Sequence, residues 1–448
     1  MTFLREIIQS RPAAGYTVIL GTAGSGKTAA ALQRACWFAE QPPRPNVLLL
    51  TWNRQLAMQM KAMQDMLPKR LTVECLSDFA VRILKRKGVL SGTRRILDAD
   101  GRIGYIARAL RHCQAVYPDE PLFQMPAARC AAQIRAIRHR IALPDEMSEP
   151  ARDKLHRCME IVQQKYLELR TFDGWRFDCD DLAELLSRPD PRVRCPVQYS
   201  HIIVDEAQDY TPLMLHALLG SLKPDGDLTL FADPDRQLFG SGSHFRCAGL
   251  PVGQLLKMEQ NRRSPAAGFA LMQALRAEMR RDDADMLTPY SEKEPADCPP
   301  LHRYDKIADE IAAVTEQAAA RSKSAAAAVL LRNAESVLRY QQAFAEKNVS
   351  AEILRDDTPV KLGGKGLYLG TYAAARGLSF PLVFLPELSA DRIPDPAQRI
   401  CVLNEADAAE YERRLLYLAA GRASGALMLS CAGTPSPLLP ACLRSGGA

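Results

Sequence analysis

Hydrophobic positions gather in short β-rich runs, each followed by a polar or glycine-rich break. Tyr16-Thr-Val-Ile-Leu20 leads into a glycine loop and then the helix-forming run Ala29-Ala-Ala-Leu-Gln-Arg-Ala-Cys36. Val47 to Leu50, His201 to Val204 and Ala325 to Leu331 read as further buried strands, so the pattern predicts an α/β fold. Ile103 to Leu110 and Ala131 to Ile137 instead carry apolar residues at helical spacing, so these segments read as helices. The polar, proline-containing stretch Arg281 to Pro300 and the Pro- and Gly-rich tail from Gly433 read as loops.

Composition narrows the class. The 448 residues suffice for two or three domains, and 47% hydrophobic with 25% charged residues is ordinary for a globular protein. The longest apolar runs fall far short of the ~20 residues that cross a bilayer. Arg5 and Glu6 interrupt any apolar leader near the N-terminus, so no membrane partner and a cytoplasmic location are expected. Twelve cysteines are scattered singly, with no C-x-x-C pair and no histidine at zinc spacing, and read as reduced thiols. A net charge of +6 permits a polyanionic partner without demanding one.

The chemistry is concentrated in two segments. Gly21-Thr22-Ala23-Gly24-Ser25-Gly26-Lys27-Thr28 lies between a strand and a helix, as a P-loop requires. Its glycines let backbone N–H groups face phosphate oxygens, and the helix N-terminus adds partial positive charge. Lys27 would reach the β and γ phosphates and Thr28 would bind Mg²⁺. A second strand delivers Asp205-Glu-Ala-Gln-Asp209 at its C-terminal end. There Asp205 would hold Mg²⁺ through water, while Glu206 would orient or deprotonate the attacking water.

These motifs resemble those of the superfamily 1 helicases of the UvrD/Rep type, whose acidic motif reads D-E-x-Q-D. Other segments follow in family order: Thr51-Trp52-Asn53 resembles motif Ia, Phe177-Asp-Cys-Asp-Asp-Leu182 the D-F-x-D-L segment, and Leu228 to Gly240 motif III. Glu259-Gln-Asn-Arg-Arg-Ser264 is similar to motif IV, Leu369 to Phe380 to motif V, and Glu412 to Ala423 to motif VI. The resemblance implies ATP and Mg²⁺ as cofactors and catalytic roles for Lys27, Glu206, Gln208, Arg263 and Arg422. Arg262 stands where the family stacks a tyrosine on the base. Single-stranded DNA would meet Thr51, Trp52, Asn53, Phe239, Thr371, Tyr372 and Arg376, with a place in the core as the alternative for Trp52 and Phe239.

Several positions depart from the family pattern. Glu6 or Gln9 stands near the adenine-reading glutamine, Arg236 replaces a motif III glutamine, and Gly421 replaces the threonine before Arg422. In motif V, Ala373, Arg376 and Ser379 replace His, Lys and Glu. The resemblance implies two RecA-like domains: a first formed by residues 1–79 and 181–258, interrupted by the helical 1B insertion at 80–180, and a second, 2A, over 259–448. About forty residues separate Leu331 from Thr371, too few for a full 2B domain. Arg129, Arg135, Arg138 and Arg140 form a basic stripe in the insertion, readable as a phosphate track or as a solvated face. The activity implied is ATP-dependent 3′-to-5′ translocation or unwinding on single-stranded DNA, with a tailed duplex as a further substrate. The alternative is an NTP-switched DNA sensor that serves a partner nuclease in an antiphage defence complex. An RNA-directed ATPase also remains open.

Overall fold

The computed structural model describes residues 2–62, 66–90, 96–97, 99–139, 141, 148–175, 177–187, 198–238, 244–280, 286–354, 364–396 and 405–444. Two six-stranded parallel sheets organise it. The first holds β1 (Tyr16–Gly21), β2 (Val47–Thr51), β3 (Leu71–Cys75), β4 (Tyr199–Val204), β5 (Leu222–Ala232) and β6 (Val252–Met258), in the order β3-β2-β4-β5-β1-β6. The second holds β7 (Leu301–Tyr304), β8 (Ala326–Leu331), β9 (Glu352–Ile353), β10 (Gly366–Thr371), β11 (Phe380–Leu385) and β12 (Ala423–Ala432), in the order β7-β12-β11-β8-β10-β9.

Alternation explains why both sheets are buried on both faces. Val18, Leu20, Leu48, Leu50, Ile202 and Val204 enter one core, while Ile19, Val47, Leu49 and Ile203 enter the other. Successive side chains of a strand point to opposite faces, so a continuous apolar run serves two helical layers at once. The second sheet repeats this, with Ala328 and Leu330 on one face and Ala327, Val329 and Leu331 on the other.

The helical insertion is built from helices Ala99–Val116, Ala127–Arg138 and Glu149–Phe172 around its own apolar core of Ile106, Leu110, Ile134, Met159 and Val162. Its root is a cluster of buried charge. Asp178 Oδ1 accepts from the N–H groups of Asp180 (2.9 Å) and Asp181 (2.8 Å), capping the helix Cys179–Ser187. Arg102 and Arg135 reach Asp180 at 2.9 Å each, Arg138 reaches Asp181 and Glu184 at 2.6 Å each, and Arg170 reaches Asp181 at 2.6 Å. One arginine or more from each of the three helices thus converges on the D-F-x-D-L segment. Arg135 and Arg138 are therefore tied inward, neither a phosphate track nor a solvated face. Arg140 lies outside the described residues.

The reduced-thiol expectation needs one correction. Cys298, just before β7, is disulfide-bonded to Cys442 of the C-terminal helix Ala441–Arg444, with 6.2 Å between their Cα atoms. Chain separation hid this pair, because the second sheet brings together segments 144 residues apart. Among the described residues no helix is long and apolar enough to cross a membrane.

Candidate active site at the cleft between the sheets

In a parallel sheet every strand ends on the same edge, which is where α/β folds gather their chemistry. The C-terminal edge of the first sheet carries the P-loop after β1, Trp52 and Asn53 after β2, Asp205 and Glu206 after β4, Asp233 after β5 and Asn261 after β6. The P-loop turns through left-handed glycines at Gly24 (φ 77°) and Gly26 (φ 90°) into the helix Lys27–Glu40. Lys27 is buried, and its Nζ donates to the carbonyls of Gly21 and Thr22 at 2.8 Å each, 3.3 Å from Asp233 Oδ2. Burial lowers its pKa against the opposing charge of Asp233.

The second sheet meets this edge with the opposite ends of its strands. Arg376 and Gly377 precede β11, and Arg422 precedes β12. Asn261 Nδ2 donates to Ala23 O at 2.7 Å, the N–H of Arg262 donates to Gly24 O at 3.0 Å, and Ala23 N–H donates to Tyr417 Oη at 3.3 Å. Ala23 itself packs into the core of the second sheet. Arg263 Nη2 donates to Gly421 O at 2.8 Å, while Arg422 donates to Leu418 O and Leu378 O. Asn53 Nδ2 donates to Arg376 O, and Arg376 Nη1 lies 3.5 Å from Asp209 Oδ1. A small cavity at this junction is lined by Trp52, Asn53, Glu206, Arg236, Arg376 and Arg422, among others.

The electrostatics separate the two adjacent acids. Burial, and then the charge of Glu206, push the Asp205 carboxyl up. Glu206 is held down despite burial by the charges of Arg236, Lys27 and Arg422. Its backbone sits in the left-handed region at φ 54°, uncommon for a non-glycine residue and held here by its surroundings. Gln208 Nε2 donates to Glu206 Oε2 at 2.6 Å, and its Oε1 accepts from Asp233 N–H at 2.9 Å. Burial and then the charge of Arg236 lower the Arg263 pKa to about 10, and burial likewise lowers that of Arg422.

Orphaned polar atoms test whether Mg²⁺ and a polyphosphate fit. Among the described residues, both Asp205 oxygens, Asp233 Oδ1, the Thr22 and Ser25 hydroxyls and Arg263 Nε are buried without a hydrogen bond of ordinary length. The Thr28 hydroxyl is a weak donor beside Asp205. Buried polar groups are normally paired, and hard oxygens beside a P-loop are the donors Mg²⁺ takes. The donor set fits both groups.

Residues 4–252, more than half of the chain, match the UvrD/REP helicase N-terminal domain. The chain belongs to this family. A relative described as "Putative ATP-dependent DNA helicase YjcD" from Bacillus subtilis is 24% identical over 242 residues, covering 50% of this chain. The match spans 31% of that relative's length. The solved C-terminal domain of a "possible DNA helicase" from Lactobacillus plantarum WCFS1 aligns over 40% of this chain and 91% of its own, at 18% identity and a TM-score of 0.28.

Within this UvrD/REP-type frame the expected residues fall into three groups. Lys27, Thr28, Asp205, Glu206, Gln208, Arg263 and Arg422 converge on the cleft. Arg262 does not: its side chain is exposed and its Nε donates to Gln260 Oε1 at 2.8 Å, so only its backbone touches the P-loop. Tyr372 is a correction among the expected DNA contacts, because its ring is buried in the core of the second sheet; Thr51 is likewise fully buried at the end of β2. Trp52 is half-buried, edge-on to Tyr210 at 5.5 Å, while Asn53, Thr371 and Arg376 keep partial exposure. Phe239 lies outside the described residues. Asn261, Asp233 and Tyr417 were not singled out. Asp233 could have been found as a second acid closing a strand beside the P-loop strand, whereas nothing local marks Tyr417.

Proposed function

We propose that this chain is an ATPase that works as a motor on single-stranded DNA. The observation that carries the reading is the convergence of Arg263, from the segment that leaves β6, and Arg422, from the second sheet, on the same cleft as Lys27 and Glu206 from the first. ATP seated on the P-loop would have its phosphates gripped by Lys27 and both arginines. Asp205 and Thr28 would hold Mg²⁺, which supplies charge neutralisation on the phosphate oxygens. Glu206, ionised and oriented by Gln208, would accept a proton from the attacking water, and hydrolysis would yield ADP and phosphate.

The coupling to DNA rests on continuity. Trp52 and Asn53 line the same cavity as Glu206, and Asn53 bonds to Arg376 across the two sheets. Loss of the terminal phosphate would loosen the arginines, let the sheets separate, and shift the grip on a strand held by stacking on Trp52. We assign residues 1–79 and 181–258 to domain 1A, 80–180 to 1B and 259–448 to 2A, and take the direction to be 3′-to-5′ as in the family.

The test is steady-state ATP hydrolysis with and without single-stranded DNA, in the wild type and in Lys27→Ala. Stimulation by DNA that Lys27→Ala abolishes supports the motor. Hydrolysis indifferent to DNA overturns it and favours the NTP-switched sensor, and stimulation by RNA alone would assign the other nucleic acid.

A further inference from the structure

The left-handed backbone of Glu206 is held from both of its ends. On one side β4 delivers it, and the Asp205 N–H donates to Leu50 O at 2.8 Å. On the other, the turn Ala207–Asp209 runs into the helix Pro212–Leu218, whose N-cap is Thr211. A non-glycine residue stays left-handed only where its neighbours over-determine it, so whatever fixes Thr211 helps to fix Glu206.

Thr211 is fixed from the helical insertion. His139 ends the helix Ala127–Arg138 and is fully buried. Its Nδ1 lies 3.0 Å from Thr211 Oγ1, the hydroxyl that accepts the Met214 N–H at 3.3 Å. Its Nε2 is buried with no hydrogen-bond partner among the described residues, so Thr211 is the ring's polar anchor. Arg135 and Arg138, in the last turn before His139, bond to Asp180, Asp181 and Glu184 and lock the ring's approach. The same root supports the capped helix from its side, where Leu182, Ala183 and Leu186 share a core with Met214, Leu215 and Leu218. A second histidine, His244 from the segment between β5 and β6, donates through Nδ1 to Tyr210 O at 2.8 Å.

We infer that His139 is a positioning residue for the Glu206 carboxylate, acting through Thr211, and that through this bond the helical insertion sets the rate of hydrolysis. The inference rests on the catalytic role of Glu206 proposed above. With His139 in place the cap is closed, the backbone keeps its left-handed turn at Glu206, and Gln208 holds the carboxylate. Without it the start of the helix frays, the strain at Glu206 relaxes, and the carboxylate loses its aim at the attacking water. The P-loop, which follows β1, keeps its grip on the phosphates, so the loss falls on kcat and not on KM.

The experiment compares His139→Ala, His139→Asn and Thr211→Val by steady-state ATP hydrolysis, nucleotide titration, thermal melts and hydrogen exchange over residues 205–214. Asparagine places its amide where the histidine Nδ1 stands, so it keeps the bond in a smaller side chain. His139→Ala and Thr211→Val are each expected to lower kcat about 10-fold or more, with KM and nucleotide affinity within about twofold, and to speed exchange in that segment. The double variant is expected to be no slower than the slower single one, and His139→Asn to recover most of the rate. A His139→Ala protein with a lowered Tm but wild-type kcat and unchanged exchange has lost packing alone and overturns the proposal. His139→Asn as slow as His139→Ala overturns it too. Glu206→Gln runs beside them: if it hydrolyses ATP as the wild type does, or if the wild type does not hydrolyse ATP, the catalytic reading itself fails, and the exchange of residues 205–214 in His139→Ala still decides whether His139 holds the turn.

Discussion

Gln208 joins Glu206 to the end of the neighbouring strand: one end of its amide donates to Glu206 Oε2 at 2.6 Å, and the other accepts the Asp233 N–H at 2.9 Å. Because a carboxamide has one donor end and one acceptor end, the pair of bonds fixes its orientation and, through it, the Glu206 carboxylate. Gln208→Ala is expected to lower kcat for ATP about 100-fold, the scale of a misplaced catalytic group, with nucleotide affinity close to wild type. Steady-state kinetics beside nucleotide titration check this; a raised KM with unchanged kcat would give Gln208 a binding role instead.

The P-loop is held as much by Asn261, just beyond the end of β6, as by its own glycines. Gly24 has φ 77°, and a Cβ there would lie 2.7 Å from Asn261 Nδ2, the group that secures Ala23 O. Gly24→Ala combines a left-handed cost of about 1–2 kcal/mol with that collision. We expect it to abolish nucleotide binding and lower the Tm. Asn261→Ala, which removes the clamp without the collision, should raise KM severalfold and lower the Tm less than Gly24→Ala does. Calorimetric titration and thermal melts separate the two.

Trp52 stands beside the cleft with one edge against Tyr210 and partial exposure. Stacking on one base contributes about 1–3 kcal/mol, so Trp52→Ala should weaken single-stranded DNA binding by about 10-fold or more and lower the DNA-stimulated rate more than the DNA-independent rate. Fluorescence anisotropy with a labelled oligonucleotide measures the first and hydrolysis assays the second. An unchanged affinity would return Trp52 to the core of the first sheet.

Acid should loosen the helical insertion. Against the burial that would raise it, Arg135 and Arg102 hold the Asp180 carboxyl down to about 2. A carboxylate whose folded pKa lies below its unfolded value near 3.8 stabilises the fold fully above that value and loses the contribution as pH falls towards 2. The amount is about 2 kcal/mol. Between pH 5 and pH 2 the wild type is expected to lose about that much more stability than Asp180→Asn, which is the weaker protein at neutral pH because its arginines lose their partner. Urea melts across this range test it, and parallel curves would deny Asp180 the role.

Much of the fold was legible in the order of the residues. The runs Tyr16–Gly21, Val47–Thr51, Tyr199–Val204 and Ala326–Leu331 are strands because β-rich apolar stretches of that length bury on both faces of a parallel sheet, whatever surrounds them. The P-loop and the acids at Asp205 and Glu206 were likewise readable, because their geometry depends on a local strand-turn-helix order and on where a strand ends. The inward pairing of Arg135 and Arg138 was not, since helical spacing shows which residues share a face but not which acid faces them from another segment. Nor could periodicity tell that Tyr372 turns into a core while Trp52 stays half-exposed, or that Cys298 meets Cys442. Arg236 and Gly421 make the point most sharply: along the chain they are two unrelated departures 185 residues apart, and only the closing of one sheet's C-terminal edge on the other's N-terminal ends brings the guanidinium against the glycine.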